Sequence, residues 1–112
     1  MVKESAASKA LKEARDLVRQ HDYAEALAKY IWFHEHALEH DPAMVGVRLS
    51  YAIMEWAELG EVYPPARVEL EAVRDAKTRT LEEGSEEFRL FHDVQSINKV
   101  LGQEERTMRR MG

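Results

Sequence analysis

Apolar residues recur every three or four positions along most of this chain, which is the period of an amphipathic helix. No segment alternates between apolar and polar residues with the period of a strand. The sequence therefore predicts an all-α protein. The pattern divides into five helical segments, which run over about 5–20, 22–40, 42–60, 64–83 and 85–101.

The ends of these segments carry residues that start or stop helices. Pro42 and Pro64 each fit the first turn of a new helix, because proline fixes a helical φ and lacks the N–H that would be unpaired there. Asp22 and Ser85 can cap the second and fifth segments with a side-chain oxygen. Leu59-Gly60 predicts the end of the third segment, since glycine is common just after a helix.

A short phrase occurs twice in the chain. Tyr23-Ala24-Glu25-Ala26 opens the second segment, and Tyr63-Pro64-Pro65-Ala66, forty residues later, opens the fourth. A recurrence at a period of about 40 predicts stacked helical hairpins, because one hairpin cannot bury its apolar stripe alone. We expect about two and a half antiparallel hairpins in one domain over 1–112, made of five helices and a short basic C-terminal segment.

The first hairpin also closes in a recognisable way, with Ala37-Leu38-Glu39-His40-Asp41-Pro42 after the Tyr23 and Ala26 positions. This pattern resembles the tetratricopeptide repeat, which has a tyrosine before its second helix, a small residue where the two helices cross and a proline after the pair. The chain departs from that family in its period, near 40 instead of about 34, and in an additional turn in the second helix. Glu83-Gly84 replaces the second Asp-Pro closure.

The resemblance implies a concave groove, lined by the first helix of each hairpin, that receives a peptide or helix from a partner protein. The candidates for contacts in this groove lie on the first and third helices: Lys12, Arg15, Arg48, Tyr51 and Glu55. Some members of the family hold a terminal carboxylate with lysines and asparagines on successive first helices. Here Asn98 is the single asparagine, so that clamp cannot be assembled in the same way.

The aromatic pair Trp32-Phe33 lies off the main apolar stripe of the second helix. Most aromatic residues at helical spacing pack in the core, but tryptophan is also a common anchor at protein interfaces. We therefore expect Trp32 and Phe33 to contribute to self-association, which makes a homodimer possible.

Composition narrows the class of function. The chain has a net charge of −5 and no cysteine. An acidic chain disfavours the phosphate contacts that drive nucleic-acid binding, and the lack of cysteine removes disulfides and thiolate metal sites. With no apolar signal segment, the sequence predicts a cytoplasmic protein that is not bound to a membrane. We expect a non-enzymatic adaptor that binds a protein or peptide and needs no cofactor.

One histidine cluster favours a different function. His36-Ala37-Leu38-Glu39-His40 matches the H-x-x-E-H pattern of inverted zinc proteases, in which two histidines bind the metal and the glutamate acts as a base. The alternative function is thus a metal-dependent hydrolase that uses His36, Glu39 and His40. The pattern is only five residues long and coincides with the hairpin closure, so the main prediction assigns no metal, and His34, His36 and His40 could also bind metal adventitiously.

Overall fold

The computed structural model describes residues 5–102, and this part of the chain is helical with no strand. The all-α prediction is confirmed for these residues. The short basic segment predicted after Gly102 lies outside the described residues. The α-helices are α1 (Ala6–Arg19), α2 (Tyr23–His40), α3 (Val45–Leu49), α4 (Tyr51–Val62), α5 (Pro64–Glu82) and α6 (Phe88–Val100), and a short 3-10 helix covers Pro42–Met44.

A tight turn joins α1 to α2. Ser5 caps α1, since its Oγ accepts a hydrogen bond of 3.0 Å from the Ser8 N–H. In the turn itself, His21 has a φ of 62°, a left-handed conformation that reverses the chain. Asp22 occupies the N-cap position of α2, as predicted. Its side chain forms no capping hydrogen bond, so the predicted contact with the backbone at the start of the helix is wrong.

The predicted third helix is broken. Asp41 caps the 3-10 turn by accepting a hydrogen bond from the Ala43 N–H, as its place before Pro42 allows. The helical path then stops at Ser50, where φ is −125° and ψ is −85°, and resumes in α4. The Ser50 hydroxyl donates to the carbonyl oxygen of Gly46 at 2.6 Å, which satisfies a backbone group near the break.

Gly60 does not end its helix, contrary to the sequence prediction. It lies inside α4 and is buried, and α4 continues to Val62. A Cβ atom at Gly60 would lie 2.9 Å from the Cβ of Arg67, on α5. The glycine therefore serves the close approach of two helices. The predicted start of α5 at Pro64 is confirmed.

The turn between α5 and α6 falls at Gly84, which has a φ of 106°. Ser85 does not cap the last helix as predicted. It lies two residues before Glu87, which occupies the cap position, and α6 begins at Phe88. The apolar stripe predicted for this helix is only partly buried: Ile97 is fully buried, whereas Phe88 and Phe91 are 78% and 51% exposed.

The core forms where α2 and α4 meet, with α1 packed on α2, and with α5 packed on both α4 and α6. The buried apolar residues form one connected cluster. Ala26 and Ala66, from the doubled phrase, are both completely buried, and the rings of Tyr23 and Tyr63 lie 6.0 Å apart. The Trp56 indole N–H donates to the carbonyl oxygen of Ala66 at 2.8 Å. Within residues 5–102, no helix has the length and apolar character needed to span a membrane.

Candidate functional site

A groove of about 580 Å³ runs between α1 and α4, with α2 at its base; we call it the α1–α4 groove. Its walls combine apolar side chains with charged groups of both signs. The residues that line it are Arg15, Val18, Arg19, His21, Tyr23, Tyr30, Glu55, Glu58, Leu59 and Val62. Val62 is 61% exposed, so the groove offers apolar surface to solvent at the end of α4.

Arg15 and Glu55 join the two walls of this groove. Arg15 donates from Nε and Nη2 to the Glu55 carboxylate, with distances of 2.8–3.1 Å. The Tyr30 hydroxyl donates to the same carboxylate at 3.0 Å. Burial raises the pKa of Tyr30, and the adjacent negative charge of Glu55 raises it further, so this phenol stays protonated as a donor.

An aromatic row forms one end of the groove. The His21 ring lies 5.6 Å from the Tyr23 ring, and Tyr23 in turn contacts Tyr63 at the start of α5. His21, which has a left-handed backbone, and Tyr23 both line the groove at this end. The row connects the α1–α2 turn with the α4–α5 turn and makes that end of the groove a mixed aromatic and polar surface.

The structure brings together only two of the five residues predicted to bind a partner. Arg15 and Glu55 pair across the α1–α4 groove. Lys12 is exposed on α1 and does not line that groove. Tyr51 is 60% exposed at the start of α4 and lines a different groove, with Met54 and Val100.

Arg48 is the fifth predicted residue, and its assignment to the binding surface is wrong. Its side chain is 5% exposed, because it forms a bidentate salt bridge with Asp93 on α6. Arg48 Nε also donates to the carbonyl oxygen of His34 at 2.7 Å. A charged side chain at this position is compatible with the core only because it is paired and hydrogen-bonded there.

Arg48 belongs to a buried ionic cluster that also contains His34, Lys77 and Asp93. Lys77 Nζ lies 2.6 Å from Asp93 Oδ2 and 3.1 Å from His34 Nε2. Arg48 Nη2 also lies 3.3 Å from His34 Nε2. Because both neighbours of Nε2 are cationic donors, this nitrogen must be the acceptor, and the neutral ring carries its proton on Nδ1. The cluster ties α2, α3, α5 and α6 together.

The environment of the cluster fixes its charge state. Burial lowers the pKa of His34 to about 3, and the positive charges of Arg48 and Lys77 act in the same direction. Burial alone would raise the pKa of Asp93, but hydrogen bonds from Arg48 and Lys77 outweigh it and leave that pKa below its usual value. His34 Nδ1 is a buried atom with no hydrogen-bond partner in the described part of the chain.

The histidines of the H-x-x-E-H pattern contact an indole and a carboxylate. His36 Nδ1 lies 3.0 Å from Glu39 Oε2, and the rings of His36 and His40 lie 5.4 and 5.3 Å from the Trp32 ring. Between residues 5 and 102, no group of three or more histidine, aspartate or glutamate side chains is placed to hold a metal ion. These residues therefore do not supply the third ligand that the hydrolase hypothesis requires.

Trp32 and Phe33 occupy different environments. Phe33 is completely buried in the core, so the prediction that it contributes to self-association is wrong. Trp32 is half-buried and lines a shallow groove between α1 and α2. The reason is helical geometry, because consecutive residues point about 100° apart and only one of the two faces the core.

Sequence reasoning missed Asp93 and Lys77 in the ionic cluster and Tyr30, Leu59 and Val62 in the α1–α4 groove. One signal could have found Asp93. It lies four residues before Ile97, and so on the buried face of α6, where a carboxylate needs a cationic partner. No comparable signal identifies Lys77, which occupies a helix rich in exposed charges.

Comparison of the chain with protein-family models, with curated proteins and with solved structures finds no match. The resemblance to the tetratricopeptide repeat therefore stays a prediction from the residues that carry it.

Proposed function

We propose that this chain is a non-enzymatic binding module that receives a segment of a partner protein in the α1–α4 groove. One observation carries the proposal: an open groove of about 580 Å³ in which exposed apolar surface lies beside fixed charges of both signs. Such a surface suits a peptide or helix that inserts an apolar side chain and orients it with polar contacts.

The arrangement of the groove supports the proposal. The resemblance implies a groove lined by the first helix of each hairpin, and α1 and α4 are the helices that would have this role. The Arg15–Glu55 salt bridge connects them, with the two side chains 44% and 18% exposed. On this interpretation the chain is a divergent assembly of tetratricopeptide-like hairpins, in which Ala26 and Ala66 occupy the helix crossings.

The charges of the groove indicate the class of partner. Arg19 lies on the α1 wall and Glu58 on the α4 wall, so a segment with both acidic and basic residues beside an apolar anchor would match them. The net charge of −5 favours a protein over nucleic acid. The chain has no cysteine and forms no disulfide, which suits the reducing environment of the cytoplasm, and we place this activity there.

Two valines with equal exposure allow a matched test. Val62 lines the α1–α4 groove and is 61% exposed, and Val68 on α5 is 60% exposed and does not line it. Wild type, Val62→Glu and Val68→Glu would each be immobilised and incubated with a lysate of the source organism, and retained proteins would be quantified by mass spectrometry. We expect a set of proteins that wild type and Val68→Glu retain and Val62→Glu loses.

A captured partner would then be titrated against all three proteins by calorimetry. Because an unpaired carboxylate in an apolar contact is strongly unfavourable, we expect Val62→Glu to weaken binding by about tenfold or more. Equal retention by Val62→Glu and wild type would overturn the assignment of the groove. Within residues 5–102, no observation favours the hydrolase.

A further inference from the structure

The guanidinium of Arg15 uses only one of its two hydrogen-bonding edges within residues 5–102. Nε and Nη2 both donate to the Glu55 carboxylate, at 2.8–3.1 Å, in a side-on arginine–carboxylate pair. The second edge consists of Nη1 and the remaining N–H of Nη2. In the described part of the chain, Nη1 forms no hydrogen bond or salt bridge. Arg15 therefore keeps a pair of parallel donors that can bind a second planar group.

Arg15 is held in position by the fold itself. Its partner Glu55 lies on the opposite wall of the α1–α4 groove, and the hydroxyl of Tyr30 donates to the same carboxylate at 3.0 Å. Tyr30 is 3% exposed, so its ring is fixed by the core. An arginine side chain that is already ordered loses little conformational entropy when a ligand binds to it. The second edge of Arg15 is thus preorganised for recognition.

A partner segment can reach this edge and the apolar end of the groove together. The Arg15 side chain is 44% exposed and lines the α1–α4 groove, as does Val62. Glu55, which pairs with Arg15, precedes Val62 by seven residues on α4, a distance of about 10 Å along the helix. An extended peptide spans about 10 Å in three residues, and a helix does so in about seven.

The charges around this edge favour a ligand with a single negative charge. Glu55 already balances the charge of Arg15, and Glu58 lies on the same wall of the groove. A second negative charge on the ligand would therefore be repelled. A carboxylate carries one charge and has the planar shape that matches the paired donors of an arginine, whereas a phosphate carries close to two charges.

We propose that the second edge of Arg15 binds the side-chain carboxylate of an aspartate or glutamate in the partner segment. The inference rests on the proposed binding of a partner in the α1–α4 groove and adds the residue that selects it. An apolar side chain of the same segment contacts Val62. A segment that has the apolar residue but lacks the carboxylate leaves the donors of Arg15 without an acceptor inside the complex, which lowers its affinity.

A peptide library provides a defined probe. Phage-displayed short random peptides would be selected on immobilised full-length wild type, and clones that also bind Val62→Glu would be discarded. Because the peptides are joined to the phage through their carboxyl ends, an acidic residue in them acts through its side chain. We expect the remaining clones to share an aspartate or glutamate at a fixed spacing from an apolar residue, about three positions for an extended peptide or seven for a helix.

A double-mutant cycle then tests the contact itself. Synthetic peptides with an amidated carboxyl end, carrying either the selected acidic residue or its amide, would be titrated by calorimetry against wild type and Arg15→Lys. Lysine keeps the positive charge and can still pair with Glu55, but it offers no second pair of parallel donors. We expect the amide to bind wild type about tenfold or more weakly than the acid, and to differ clearly less from the acid with Arg15→Lys.

Arg79→Lys provides the control, because Arg79 is exposed on α5 and does not line the groove. It should discriminate between the acid and the amide as wild type does. Circular dichroism checks that each variant is folded.

The outcomes separate this inference from the proposed function. Clones that require Val62 but share no acidic residue, or equal effects of the amide on wild type and Arg15→Lys, would overturn the role of Arg15 and leave the groove assignment in place. A phosphoserine peptide that binds more tightly than the acid would overturn the choice of a carboxylate. If no clone depends on Val62, both proposals fail.

Discussion

Arg48 and Asp93 form a bidentate salt bridge in the core, with distances of 2.6 and 2.9 Å between residues that are 45 positions apart in the sequence. Their side chains are only 5% and 1% exposed. Two helices that are distant in the chain, α3 and α6, are thereby held in one relative position. The second cation on Asp93, Lys77, adds α5 to the same contact.

Replacement of Asp93 should strongly destabilise the protein. In Asp93→Ala, the buried Arg48 would lose its counter-charge beside the partly exposed cation of Lys77, and we expect the free energy of unfolding to fall by about 3–5 kcal/mol. Urea denaturation followed by circular dichroism measures this. Glu71→Gln is the control, because the Arg67–Glu71 pair is 46% and 37% exposed and its loss should cost about 0.5 kcal/mol or less. Similar losses in the two variants would contradict a structural role for the buried pair.

The stability of the protein should decrease below neutral pH because of His34. The pKa of His34 is lowered to about 3 in the folded protein, whereas an unfolded chain has a histidine pKa of about 6.5. Between these values the unfolded state binds a proton that the folded state excludes. The contribution of His34 is therefore complete above pH of about 6.5 and is lost as the pH falls toward about 3.

Urea denaturation of wild type and His34→Gln at several pH values would measure this effect. Glutamine can still accept hydrogen bonds from Arg48 and Lys77 but does not titrate. We expect the unfolding free energy of the variant to change less with pH between about 6.5 and 4.5, where one excluded proton is worth up to about 1.4 kcal/mol per pH unit. Parallel curves for the two proteins would show that folding does not lower the pKa of His34.

Two glycines should respond in opposite directions to alanine. Gly60→Ala would place a Cβ atom 2.9 Å from the Arg67 Cβ and 3.1 Å from its backbone, and we expect a loss of stability even though alanine favours helices. Separation of α4 from α5 should cost about 1–3 kcal/mol. Gly46→Ala, in α3, meets nothing within 4 Å and should gain about 0.5–1 kcal/mol. Thermal unfolding of both variants beside wild type gives the comparison, and a stabilised Gly60→Ala would show that the helices separate easily.

The two tryptophans should differ in access to solvent. Trp56 is 1% exposed and its indole N–H is bound to the carbonyl oxygen of Ala66, whereas Trp32 is half-buried and lines the shallow groove between α1 and α2. In Trp32→Phe, all tryptophan fluorescence comes from Trp56. We expect its emission to shift to shorter wavelength and its quenching by acrylamide to fall well below that of wild type. Unchanged quenching would place Trp32 in an environment as closed as that of Trp56.

Local signals in the sequence were enough to predict that the chain is helical and where most helices begin, but not the break at Ser50 or the contacts between helices. Pro64 and the buried Ala26 and Ala66 could be predicted because each reflects the geometry of its own helix. The role of Gly60 could not be predicted in this way, because it depends on Arg67 of another helix. Phe33 is similar, since which of two adjacent aromatic residues faces the core is decided by packing partners.

In the candidate sites too, local signals predict some positions, but contacts between distant residues decide the others. Arg15 and Glu55 could be assigned to a groove, because the resemblance places the first helices there, but their direct pairing is a contact between residues 40 positions apart. Arg48 was placed on the surface because a charged residue is usually exposed, and its buried partner lies on the last helix. Arg48 and Phe33 were misassigned for the same reason, since each is buried by partners that lie elsewhere in the chain.

The position of Asp93 gives α6 a second role beyond covering apolar surface. A helix that only shields a core can be exchanged for any amphipathic helix of similar size. Here α6 also carries the negative charge that neutralises Arg48 and Lys77, which belong to earlier helices. Shortening this protein before α6, or replacing α6 with another helix, would therefore require a new carboxylate at the same point in space.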